Sequence, residues 1–140
     1  MTSPEPRQEE ALPDKARRLF RAPVLAVLCT VSPSGRPQCS PVWVANDGHT
    51  LRFSIGLHRL KIRYLERNPS VSVLACDPAD PSSYAEVRGV ATMTAVGAMQ
   101  LIDDLSRAYR GIPWVARPDE QRVLVSVTPS SVFTRSSGDR

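Results

Sequence analysis

The chain has 140 residues, a formal net charge of +4 and a hydrophobic fraction of 41%. That length suits one domain with its own core rather than two, and no apolar run approaches the ~18 residues a spanning helix needs. The opening Met-Thr-Ser-Pro-Glu-Pro lacks the basic-then-apolar order of a secretory signal, so a cytoplasmic protein is expected.

The positive charge is mild and spread along the chain. It favours an anionic small-molecule partner over nucleic acid, since no basic run is interleaved with aromatics. Cys29, Cys39 and Cys76 are odd in number and sit in apolar, strand-like runs, which reads as buried free thiols in a reducing cytoplasm rather than a disulfide or metal set. No CxxC pair or His spacing suggests zinc.

Residues 1–8 read as a disordered tail. Apolar residues recurring at three and four predict a helix over 9–20, with Pro13 in its first turn. Val24 to Val31 is a continuous apolar strand, turned by Ser32-Pro-Ser-Gly-Arg-Pro37 into a second strand over Gln38 to Ala45. Asn46-Asp-Gly48 marks another hairpin, leading to a third strand over His49 to Ile55.

A basic helix over Arg59 to Glu66 follows, ended by Asn68-Pro69. Strands are expected over Val71 to Cys76 and Tyr84 to Thr94, separated by a Pro- and Ser-rich loop at 77–83, with a bulge or bend at Gly89. Met99 to Tyr109 is an amphipathic helix capped by Gly111. Residues 112–120 are irregular, Arg122 to Val127 is the last strand, and a polar tail covers 135–140. Six strands, the first three joined without a crossover helix, imply an antiparallel sheet able to close into a barrel, in a single domain over 9–134.

The stretch from Leu51 to Pro69 organises this plan. Its alternating half is a strand, Gly56 breaks it, and Arg59, Lys61 and Arg63 stand where strand passes into helix. Cations are unfavourable in a helix's first turn, whose free N–H groups already carry partial positive charge. Two explanations fit: an ordinary solvated face, or a site whose bound anion offsets the repulsion. His58 beside them is either a solvated turn residue or a further phosphate contact.

The runs Val-Leu-Cys-Thr-Val-Ser-Pro-Ser-Gly-Arg-Pro-Gln-Cys-Ser-Pro-Val-Trp-Val and Phe-Ser-Ile-Gly-Leu-His-Arg-Leu-Lys-Ile-Arg-Tyr-Leu-Glu-Arg-Asn-Pro resemble the pyridoxamine 5′-phosphate oxidase-like superfamily, the FMN-binding split β-barrels. Within it they are similar to the branch that uses the deazaflavin coenzyme F420. Tyr84-Ala-Glu-Val-Arg-Gly-Val-Ala and the closing Arg-Val-Leu-Val-Ser-Val-Thr-Pro-Ser-Ser-Val fit the same pattern.

The resemblance implies a mainly β, antiparallel split barrel, dimeric, with two cofactor sites at the homodimer interface. It implies that Arg59 and Lys61 hold the cofactor phosphate, that Ser54 and Ile55 flank the ring or phosphate, and that Gln38, Ser40, Pro41 and Val42 line the ring plane. Many relatives carry Asn where this chain has Tyr64, so Arg63 joins the set by position alone. Trp43 and Tyr84 are either packing aromatics or neighbours of a flat substrate. Trp114 is either filler or a residue that closes over the site.

The expected activity is an oxidoreductase delivering hydride from reduced F420 to a small electron-poor organic acceptor. A hydride donor carries its own reactivity, so no catalytic acid, base, nucleophile or metal is nominated. The same fold with FMN, or a non-catalytic cofactor- or haem-binding protein, are the alternatives.

Overall fold

The computed structural model of the protein describes residues 11–136 and 138. The expected tail at 1–8, residues 9–10 of the expected first helix, and residues 137, 139 and 140 lie outside the described residues.

The first helix, α1 (Asp14–Leu19), starts only after Pro13, which serves as its N-cap with extended backbone. A residue preceding proline is biased away from the helical region, which disfavours a start further upstream. Leu12 is nonetheless buried, and its N–H donates to the Gly48 carbonyl at 2.7 Å. Leu12, Ala16 and Phe20 carry the buried side of this segment into the core.

Among the described residues, seven strands form one antiparallel sheet: β1 (Ala26–Val31), β2 (Pro37–Val42), β3 (Ala45–Asn46), β4 (Leu51–Gly56), β5 (Ser70–Asp77), β6 (Asp80–Thr94) and β7 (Arg122–Arg135). Their order is β2-β1-β5-β6-β7-β4-β3. The strand expected over 38–45 is therefore two strands, and they occupy opposite edges of the sheet. Only Trp43 and Val44 join them, a span of at most ~11 Å from Val42 to Ala45. A flat sheet cannot bring its outer strands that close, so this connection forces the sheet to curl into a split barrel.

Alternation supplies the interior. β1 and β4 bury every second residue, Ala26, Leu28 and Thr30 on one and Leu51, Phe53 and Ile55 on the other. Val73, Val87, Val125 and Val127 complete the centre from β5, β6 and β7. Helix α2 (Leu60–Arg67) packs on β1 through its buried Ile62 and Leu65. Helix α3 (Ala98–Arg110) lies over β4 and β7 and ends at Gly111, whose φ of 74° is the left-handed cap the sequence predicts.

Two expected boundaries are corrected. The loop at 77–83 is a tight turn: Asp77 pairs with Asp80, the Asp77 carboxylate accepts the Ala79 N–H, and β6 already runs from Asp80. The last strand continues through Pro129 to Arg135, because the long β6 offers pairing as far as Tyr84 opposite Arg135. The register shifts between Arg88 and Gly89, and such an irregularity is where a strand can absorb a proline lacking its N–H. At Gly89 a Cβ would lie 2.2 Å from the Thr128 carbonyl oxygen, so the backbones approach too closely for any side chain. Among the described residues, no helix is long and apolar enough to cross a membrane.

Candidate functional site

Strand β3 covers β4 only at Leu51 and Arg52, so Phe53 to Gly56 face the other edge of the sheet without a strand between. The seam this leaves is a groove of about 1740 Å³. β2 supplies Ser40, Pro41 and Val42 to one wall, and β4 supplies Ser54, Ile55 and Gly56 to the other. The turn into α2 adds His58 and Arg59, α2 adds Lys61, and Trp43 with the segment 112–122 closes the remaining side.

The α2 end carries concentrated, uncommitted positive charge. Its N-cap is Arg59, no side chain caps it, and its first turn holds no acidic residue. Lys61 is half-buried and donates from Nζ to Ser40 Oγ at 2.7 Å. Burial, then the neighbouring Arg59 charge, pull the Lys61 ammonium below the usual lysine range. Neither Arg59 nor Lys61 pairs with a carboxylate among the described residues.

The opposite side is aromatic. Trp43 stacks on Tyr109 with ring centroids 5.2 Å apart and 15° between planes, and meets Trp114 edge-on at 6.3 Å. Tyr109 fixes this corner: its hydroxyl donates to the Val24 carbonyl at 2.8 Å and accepts the Val44 N–H at 3.0 Å. Burial raises the Tyr109 phenol, so it stays a hydrogen-bond donor.

Trp114 is tied down three ways. Its backbone N–H donates to Asp103, its indole N–H donates to Glu120, and the Arg122 guanidinium lies 4.7 Å above its ring. Arg122 donates to the Glu120 carboxylate at 2.6 Å and to the Ser54 carbonyl at 2.9 Å. Burial alone would raise the Glu120 carboxyl. The hydrogen bonds from Arg122, the Arg117 N–H and Trp114 outweigh it and hold Glu120 below the usual carboxylate range.

Of the residues singled out in the sequence, Ser40, Pro41, Val42, Trp43, Ser54, Ile55, Arg59 and Lys61 all line this groove. Ser54 does so with its hydroxyl committed to the Ala98 carbonyl at 2.8 Å, bracing α3. Gln38, Arg63 and Tyr84 are not brought into it. Gln38 accepts from the buried Thr30 across the β1–β2 pair, and Tyr84 packs on Phe133 at the far end of β6. Arg63 is exposed, because two residues along a helix turn it about 200° away from Lys61. Tyr109, Glu120 and Arg122 were not anticipated. Trp114 in an irregular segment was the one signal pointing to that wall.

A family model described as pyridoxamine 5′-phosphate oxidase matches residues 12–136. The chain belongs to that family. Among solved structures, an F420 reductase is 31% identical, with a TM-score of 0.78 over 87% of this chain and 98% of its own. General Stress Protein 26 from Bacillus anthracis str. Sterne is 23% identical, with a TM-score of 0.67 over 86% and 91%. The conserved hypothetical protein Rv2991 from Mycobacterium tuberculosis is 18% identical, with a TM-score of 0.72 over 93% and 88%. The last two likenesses concern the fold alone. The pyridoxamine 5′-phosphate oxidase fold is a flavin-type oxidoreductase fold, and the groove's contents suit such a cofactor. One end offers an uncapped helix start and a desolvated lysine to a phosphate, and the walls offer flat apolar surface to a ring.

Proposed function

We propose that this protein is an oxidoreductase that binds coenzyme F420 in the seam groove and reduces a small electron-poor organic acceptor. The observation carrying the reading is the α2 end, where Arg59, Lys61 and free helix N–H groups converge without a counter-charge among the described residues. A phosphate there would accept from the helix start and from Lys61, with Ser40 holding the ammonium in place. The F420 reductase likeness at 31% identity supports the deazaflavin over FMN.

The bound coenzyme supplies the hydride, and the chain binds, orients and excludes water. Pro41 and Val42 from β2, with Ile55 from β4, would flank the ring. Trp43, stacked on Tyr109, would border the acceptor. No side chain is required to transfer a proton, which solvent can provide.

The reading includes a homodimer with the groove at the interface. Leu25, Leu57, Ile112 and Val115 border the groove with 69%, 45%, 47% and 86% of their surface exposed. Apolar surface of that extent around a binding site is what a partner subunit would cover.

Titration of the purified protein with F420, FMN and haem, followed by absorbance and fluorescence, tests this reading. Saturable F420 binding is expected, with oxidation of reduced F420 on adding an enone or quinone. Tight FMN binding without any deazaflavin response would overturn it. Sedimentation at the same concentrations should give the mass of two chains.

A further inference from the structure

Cys29 and Cys39 stand directly opposite each other in the β1–β2 hairpin. The prolines of β2 define what kind of pair this is. Proline has no N–H to donate, so Pro37 and Pro41 fit the ladder where that group would point away from β1, at the non-hydrogen-bonded pairs. The Ser32 N–H donating to the Arg36 carbonyl, one step before the Val31–Pro37 pair, agrees with that phase. Cys39 lies midway between the prolines, so by the period of two it shares their class. Non-hydrogen-bonded partners are the closer ones, with Cα atoms ~4.5 Å apart, inside the range a disulfide spans.

The side chains use that proximity. The two sulfurs are in contact at 2.7 Å on the outer face of the sheet, and neither is the buried thiol the sequence suggests: Cys39 is exposed on the edge strand and Cys29 half-buried behind it. Cys76 is remote: Cys29 is opposite Ser72 of β5, four residues or ~13 Å along that strand.

We propose that Cys29 and Cys39 form a reversible oxidation site, joined by peroxide into a cross-strand disulfide. The exposed Cys39 thiolate attacks one peroxide oxygen, the O–O bond breaks, and a sulfenic acid forms as hydroxide leaves, which becomes water by taking up the proton the Cys39 thiol had released. Cys29 sulfur then displaces hydroxide from the Cys39 sulfur and its proton leaves with that hydroxide as a second water. Two thiols are oxidised and one hydrogen peroxide is reduced to two waters. Cys29 suits the resolving role. Burial, then the hydrogen bond and charge of Cys39 and the charge of Glu86, push its thiol up to about 11 and keep it protonated until Cys39 has reacted. Strand β2 is an edge held by β1 alone, and Ser40 beside Cys39 holds Lys61. The bond would staple the strand that carries one wall of the groove.

Peroxide treatment of the reduced full chain tests this directly. Remaining thiols are alkylated with light iodoacetamide, the protein is reduced, and newly freed thiols take the heavy reagent. Trypsin does not cut Arg36–Pro37, so Cys29 and Cys39 share the peptide 22–52 while Cys76 lies in 68–88. The intact mass should fall by two hydrogens, both heavy labels should appear in 22–52, and Cys76 should stay light. Tm should rise by about 5 °C on oxidation and return with dithiothreitol. The Cys76→Ser variant should behave as wild type. Heavy label in 68–88, light label on all three cysteines, or oxygen gained at Cys39 without loss of two hydrogens would overturn the proposal.

Discussion

Lys61 and Arg122 both line the groove and both are partly withdrawn from water, yet their charges are used in opposite ways. Arg122 is consumed internally: Glu120, the Ser54 carbonyl and the face of Trp114 take up its guanidinium. Lys61 touches one neutral hydroxyl, beside a second cation and a bare helix start. A cation with its partners in the fold is a structural brace. One that is desolvated, crowded by like charge and unpaired is destabilising to the empty protein, a cost that a bound anion offsets.

The sharpest way to break this contrast is to remove the brace. Arg122→Met strands the Glu120 carboxylate in a site built for its partner, and should cost about 2–4 kcal/mol in urea unfolding. A loss below ~0.5 kcal/mol would mean the guanidinium is not braced at all. Lys61→Ala should do the reverse, leaving unfolding midpoints unchanged or slightly raised while weakening cofactor binding by about 1.5–3 kcal/mol in a fluorescence titration.

Ser40→Ala sharpens the picture at smaller scale. Without its hydroxyl partner Lys61 is less well placed, and affinity should fall by about 0.5–1.5 kcal/mol with no change in ring absorbance. The smallest effect is the acid response of the brace. Glu120 titrates below the ordinary carboxylate range in the folded chain, so its contribution is complete above the unfolded value of ~4.3 and fades as pH falls through the lower folded value. Near-UV circular dichroism of the tryptophans should report that loosening on acidification, and Glu120→Gln should flatten that response.

Much of this molecule is legible locally. The alternation of Leu51, Phe53 and Ile55, the stop at Gly111 and the cations around Arg59 each announce themselves within a few residues, because strand faces, caps and helix ends are short-range physics. The break between β2 and β3 is not of that kind. Trp43 and Val44 leave the ladder because Tyr109, 65 residues further on, offers Val44 a hydroxyl in place of a strand. Likewise Thr-Pro-Ser-Ser reads as a strand's end, and only pairing with the long β6 carries β7 past Pro129.

The candidate site divides on the same line. Arg59 and Lys61 were visible as cations in a pattern, whereas Ser40 came from the family resemblance alone, as a residue lining the ring plane, and its hold on Lys61 was not visible. The aromatic wall depends on contacts among α3, residue 43 and the segment 112–122, which no window of sequence contains. Ser54 was visible, but the commitment of its hydroxyl to α3 was not.

The most direct measurement is a binding cycle that varies the ligand's phosphate and the chain's lysine together. Affinities of F420 and of the phosphate-free deazaflavin that carries only its ribityl chain are measured for wild type and for Lys61→Ala. Wild type should prefer the phosphorylated form by roughly tenfold or more, and most of that preference should vanish in the variant. An equal preference in both proteins, or none in wild type, would contradict the claim that the free charge at α2 exists to hold an anion.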